Sequence, residues 1–243
     1  MKKLVFFLQK SFLVFLILLA LVACEKNEEL TYLKGTGTVT DIDGNTYKTV
    51  LIGHPFLDMG TQEWMAENLK VTRFKDGTPI QLATNASEWH AEVQNADPHF
   101  AWSHYSPDNQ GATYGALYNF YAAIDSRGLC PDGWGVSSRG DWEKLCIIIG
   151  GHEAGGKLKS TDPSWNPPNV DATNELEFAA LPAGLISGNG DQIFIGEMAW
   201  FWTTSSFDAL TTWAFHLNYN DEIVGNSPQT NWEGRSIRCV KEL

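Results

Sequence analysis

The sequence predicts an α+β fold: a single domain of short antiparallel strands, two helices and long irregular loops. Three observations carry this. Short runs of apolar–polar alternation recur along the body, separated by Gly, Asn, Asp and Pro, the pattern of half-buried strands. Residues 138–150 instead repeat their apolar side chains at helical spacing. No internal repeat and no linker divides residues 35–243, so one domain is the economical reading. Composition sets the bounds. At 12% aromatic residues the chain is too rich in rings for the disordered class. A formal net charge of −12 argues against nucleic acid as a partner, because phosphate binding needs a basic surface.

The N-terminus is an address. Lys2, Lys3 and Lys10 precede or enter an apolar stretch whose unbroken core, residues 12–22, is too short to span a bilayer but suits a secretory leader. Leu21-Val22-Ala23-Cys24 resembles the bacterial lipobox, so residues 1–23 read as a lipoprotein signal peptide and Cys24 as the lipid attachment point. The Cys24 thiol would carry diacylglycerol and its freed amino group a further acyl chain, giving multi-chain anchoring. This lipid is the only attached group expected; no metal or other cofactor is. Removing the leader, which holds three Lys and no acid, takes the charge from −12 to −15. Residues 24–34 form an acidic tether beginning Glu25-Lys26-Asn27-Glu28-Glu29. Acid-rich segments at this place resemble the surface-export signal of Bacteroidetes lipoproteins. The expected location is therefore the outer membrane, lipid-anchored and facing outward, with the periplasmic leaflet as the alternative.

The body follows in order. Thr38 to Ile52 alternates around Asp43-Gly44, a hairpin signal. A calcium loop is the rival for Asp41 to Asn45, but its required Gly and Glu positions hold Thr46 and Ile52. Gln62 to Leu69 reads as a strand entering a loop. Residues 75–112 read as a long loop with His90, His99 and His104, whose spacing fits no zinc motif. Thr113 to Ala123 reads as an aromatic helix striped by Tyr114, Leu117, Tyr118 and Tyr121. The second helix is capped by Ser138 with Asp141 and stopped by Gly150-Gly151. Short strands follow at 178–181, 200–205, 212–217 and 236–240.

Four cysteines remain to be assigned. Cys24 is spent on lipid, and Cys146 falls on the apolar face of the second helix with Trp142, Leu145 and Ile149, a buried small residue. That leaves Cys130 and Cys239 as a disulfide in an oxidising compartment.

Trp64-Met65-Ala66-Glu67-Asn68-Leu69, Tyr114-Gly115-Ala116-Leu117-Tyr118-Asn119, Leu129-Cys130-Pro131-Asp132-Gly133-Trp134, Phe178 to Gly184 and Arg238-Cys239-Val240 occur in that order. Together they resemble the Fibrobacter succinogenes major paralogous domain family, common in Bacteroidetes lipoproteins, over residues 35–243. The resemblance implies a C-type lectin-like fold, related to the sulfatase-modifying-factor group, with the two chain ends as neighbouring strands and ligand sites in a long irregular region. It implies no activity. Leu185-Ile186 departs from the family's frequent Tyr-Arg, and residues 54–60 look inserted.

For function, the expectation is a non-catalytic surface lipoprotein whose lectin-like domain binds glycan or a surface protein. No nucleophile elbow, phosphate loop or zinc-protease motif is present, and no catalytic residue is assigned. Trp200, Trp202, Trp213, Asn218, Asn220, Asp221 and Trp232 are the candidate ligand-binding set: aromatic faces with amide and carboxylate partners suit sugar rings. A structural or adhesive component of a surface assembly is the alternative, and a carbohydrate-active enzyme the third reading.

Overall fold

Asp41 shows how this sequence builds its elements. It ends β1 (Leu33–Thr40), and its carboxylate accepts the N–H groups of Asp43 and Asn45 and the Tyr47 hydroxyl at 2.6–2.9 Å, closing the turn into β2 (Thr46–Gly53). The strands pair antiparallel from Leu33↔Gly53 to Thr40↔Thr46. The aspartate is consumed by the turn, so the hairpin reading holds over the calcium loop. In this computed structural model the described residues are 33–243 apart from 58 and 94. The leader, Cys24 and most of the acidic tether lie outside them.

The chain continues through β3 (Gln62–Met65), β4 (Gln81–Leu82), α1 (Ala86–Val93), β5 (His99–Trp102), α2 (Ala112–Tyr114), β6 (Ala116–Tyr118), α3 (Phe120–Ala123), β7 (Gly135–Val136) and α4 (Arg139–Ile149). Then come β8 (Leu185–Ile186), β9 (Gln192–Ile193), β10 (Met198–Ser206), β11 (Thr211–Asn218), β12 (Gly225–Thr230) and β13 (Cys239–Glu242). The α+β class is therefore as expected. The main sheet runs β1-β2-β3-β13-β7, and a second runs β10-β11-β12. The resemblance implied that the chain ends pair directly. Instead β13 lies between β3 and β7, with β2 and β3 separating it from β1.

Alternation on β10 decides where the core sits. Trp200 and Trp202 face a cluster with Tyr118, Phe120 and Ile237, while Phe201 faces a second cluster with Trp142, Phe178 and Phe215. Helix α4 closes that second cluster. Trp142 stacks on Phe215 at 5.1 Å and meets Trp64 edge-on at 5.3 Å. The capping box of Ser138 with Asp141 is present, Gly150 terminates the helix at φ +106°, and Cys146 is buried, its thiol pushed up by burial to about 12. Cys130 and Cys239 are bonded, their Cα atoms 5.9 Å apart.

Three expectations are corrected. The aromatic helix over 113–123 is broken into α2, β6 and α3, because tertiary pairing overrides propensity. Ala116 N–H donates to the Leu69 carbonyl and Tyr118 N–H to the Arg235 carbonyl. Gly115 turns at φ +78°, where an added Cβ would lie 2.9 Å from the Leu69 oxygen. Asn119 then caps α3 by accepting from Ala122 N–H. The loop expected over 75–112 contains α1, capped by Asn85 and held by the fully buried Trp89. Two helices were thus too few. Residues 178–181 form only a single bridge, Ala180 to Lys159, rather than a strand.

Candidate functional site

The seven residues proposed for sugar binding do not converge. Trp202 is fully buried and donates its indole N–H to the Tyr118 carbonyl at 2.8 Å. Trp200 is 7% exposed and stacks on His216 at 4.3 Å. Their outer ring faces are covered by one fully buried side chain, Arg235, whose guanidinium sits 4.9 Å from the Trp200 ring and 4.5 Å from the Trp202 ring. Gln229 and Glu233 accept from its Nη2 at 2.8 and 2.7 Å. A sugar ring has no access to either indole, which corrects the stacking platform expected there. Trp213 is half-buried with the Arg139 guanidinium 3.8 Å above its ring and Phe207 edge-on at 5.4 Å. Trp232 is half-buried beside Gly188.

Asn218 and Asp221 work through their backbones. Their carbonyl oxygens, with that of Val170, accept from the buried Lys159 ammonium at 3.0, 2.8 and 2.6 Å. Asn220 is exposed, and its N–H donates to the Asn218 side chain at 3.4 Å. These residues shape a joint between two loops.

One buried and one half-buried histidine, His99 and His216, give the fold a pH dependence. Burial holds His216 below its ordinary value of 6.5, with Arg235 adding to the effect and Asp221 opposing it. Burial likewise lowers His99, against the Asp97 carbonyl. Each is a base whose folded pKa lies below its unfolded one, so the unfolded chain takes up protons first. Their contribution is intact above pH 6.5 and is lost as pH falls below that value. Urea midpoints measured at pH 7.5 and 5.5 are expected to drop, and His216→Gln to flatten the drop. A midpoint constant over this window would show that both histidines take up protons in the folded state as readily as in the unfolded one.

The open chemistry lies elsewhere, in a cleft of about 200 Å³ lined by Glu67, Asn68, Lys70, Thr113, Ser160 and Asp162 among others. After β3 the chain turns away from the sheet, and Asn68 fixes its course. Its amide donates to the Tyr114 carbonyl at 2.8 Å and to Ser236 Oγ at 3.1 Å, while its oxygen accepts from Arg238 Nε at 2.8 Å. Glu67 is steadied by the Lys48 N–H at 2.9 Å. On the opposite wall, burial pushes the Asp162 carboxyl upward, but hydrogen bonds from Ser164 and Ser160 outweigh it and hold the group below its usual range. Asp162 is thus a carboxylate at neutral pH, facing the same cleft as Lys70.

One wall is conformationally costly. Asn169, Asp171, Asn174, Glu177 and Ala179 all take positive φ, and Ala179, at +50°, lines the cleft. Left-handed backbone at non-glycine residues persists only where surroundings over-determine it. Here the Asn174 side chain accepts the Ala179 N–H at 2.8 Å and Arg238 donates to the Ala179 carbonyl at 3.2 Å. A second hollow of about 340 Å³, with Thr36, Thr38, Lys48 and Glu177 in its lining, shares Ala66 with the first. Together they present carboxylates, ammonium groups and hydroxyls, a lining suited to reversible hydrogen bonding with a polar ligand.

A profile of the Fibrobacter succinogenes major domain matches residues 57–241. The chain belongs to this family. The match spans both disulfide cysteines, both cleft walls and the buried pair Arg235 and Arg238. No curated protein and no solved structure matches the chain. Within this Fibrobacter succinogenes major domain, the segments that carried the resemblance prove to be cleft and scaffold at once. Glu67 and Asn68 stand in Trp64 to Leu69, Gly115 in Tyr114 to Asn119, and Arg238 holds two lining residues, Asn68 and Ala179. The Ala66-Glu67-Asn68 segment, and none of the late tryptophans, borders the open cleft.

Proposed function

We propose that the protein is a lipid-anchored outer-membrane surface protein whose C-type lectin-like domain binds the polar end of a glycan, without chemistry of its own. The observation that carries this reading is the cleft between Glu67–Lys70 and Ser160–Asp162. Its polar groups are already held in place by Asn68, Lys48 and Ser164, so a hydroxyl-rich ligand meets preorganised partners. The lipobox Cys24 and the acidic tether supply the address.

The test is a glycan array probed with the purified protein and with the Glu67→Gln, Lys70→Ala double variant. Each lost hydrogen bond to a charged group is worth about 1.5–3 kcal/mol, so binding is expected to weaken at least about tenfold while the thermal midpoint stays put. Unchanged binding would remove the cleft from the account. Failure to bind any glycan, together with a co-purifying protein, would transfer the site to a protein ligand in a surface assembly. For the address, Cys24→Ala is expected to release the protein from membranes into the soluble fraction. Continued membrane attachment would refute lipidation.

A further inference from the structure

We propose that the end of the domain at which β1 begins rests on the membrane, with Phe56, Leu57 and Leu243 in the lipid interface as a contact additional to the acyl chains. The proposal rests on the lipid-anchor reading of Cys24.

Strand register collects this end. Leu33 opposes Gly53, Ile52 opposes Gln62, and Gln62 opposes Glu242. The start of β1, the end of β2, the start of β3 and the end of β13 therefore stand in one row. The connection from β2 to β3 projects beyond that row. It is shaped by Leu57 N–H on the His54 carbonyl at 3.3 Å and Phe56 N–H on His54 Nδ1 at 3.2 Å. Leu243 joins it through its N–H on the Thr61 carbonyl at 3.0 Å. Three apolar side chains stand out here, beside the Lys144–Glu242 ion pair: Phe56 is 84% exposed, more than any other large hydrophobic residue described, with Leu243 at 59% and Leu57 at 37%.

Chain length identifies what covers this surface. Nine peptide units separate Cys24 from Leu33, a reach of at most about 30 Å when fully extended. The apolar end is therefore the part of the domain that a lipidated Cys24 keeps closest to the bilayer. Phe and Leu on a surface held there partition into the boundary between headgroups and acyl chains. Charge selects the kind of surface. Glu25, Glu28 and Glu29 and a mature charge of −15 oppose an anionic leaflet, so the contact suits a zwitterionic one.

The experiment uses the lipidated protein in phosphatidylcholine vesicles, with bimane attached at Phe56→Cys or, as a control, at Ile42→Cys in the β1–β2 turn. Both positions are exposed, 84% and 42%, so neither substitution threatens folding. Nitroxide on the lipid acyl chains is expected to quench the label at position 56 and leave position 42 bright. Equal brightness at the two positions overturns the contact while leaving the anchor standing. Self-association abolished by Phe56→Ser, with no quenching, overturns it in favour of a second copy of the chain. Membrane retention of Cys24→Ala fails the anchor reading instead, so the two failures are distinguishable.

Discussion

Replacing Cys130 and Cys239 together by Ala is expected to lower the stability of the domain by about 4–5 kcal/mol. The bond closes a loop with a sequence separation of 109. In the chain-entropy treatment, losing a closure of roughly this length costs about 4.7 kcal/mol, because the unfolded chain regains that freedom. Both cysteines are also buried in the cluster around Trp202 and Ile237, so the lost sulfurs leave space among packed rings. For a chain of this size each kcal/mol moves the midpoint by about 2–4 °C, which puts the expected fall at roughly 10–15 °C. Thermal denaturation followed by circular dichroism without reductant measures it. A fall of only a few degrees would mean that the unfolded chain is already compact around this loop.

Arg238→Met is the second large effect, at about 3–5 kcal/mol from the acceptors it strands. The guanidinium is fully buried, and burial brings it down to about 9, still above neutral pH, so it enters the core charged. No carboxylate meets it at salt-bridge distance among the described residues. Instead it donates to Asn68 Oδ1 and to the carbonyls of Met65, Phe178 and Ala179 at 2.7–3.2 Å, and lies over the Phe178 ring at 4.6 Å. Met fills the volume but leaves those acceptors without a donor, and each buried unsatisfied group costs about 1–3 kcal/mol. Urea unfolding reads the loss. Because Arg238 grips both Asn68 and Ala179, ligand binding in the cleft is expected to weaken in the same variant. Arg238→Lys keeps the charge but not the fork of donors, so it should recover only part of the stability. Full recovery would show that charge, not geometry, is what the core requires.

Local signals in the sequence carried much of the architecture. The Asp41 turn, the capped helix from Ser138 to Gly150, the inward Cys146 and the opposed faces of Trp200 and Phe201 all follow from side chains that interact within a few residues. The failures share one cause. Gly115 breaks a good helical stripe because Leu69 and Arg235, distant in sequence, supply strand partners for Ala116 and Tyr118. Asn85 caps a helix in a stretch whose composition reads as loop. For the site, Trp200 and Trp202 sat on the expected face, but nothing near them in the chain announced that Arg235 would cover both rings. The cleft is harder still, since its two walls are separated by about ninety residues and one of them depends on left-handed backbone at Ala179 that no periodicity encodes.

The Lys159 ammonium occupies a nest of three carbonyl oxygens drawn from Val170, Asn218 and Asp221. Such a nest normally recruits its positive charge from solution, and its occupancy then follows the ionic composition of the medium. Here the group that carries the charge is covalently part of the chain and cannot diffuse away. The loop that ends near Asp171 and the turn that follows β11 are therefore held in alignment equally in mineral-rich and chelator-stripped surroundings. This joint keeps its shape without drawing on whatever ions the surroundings happen to offer.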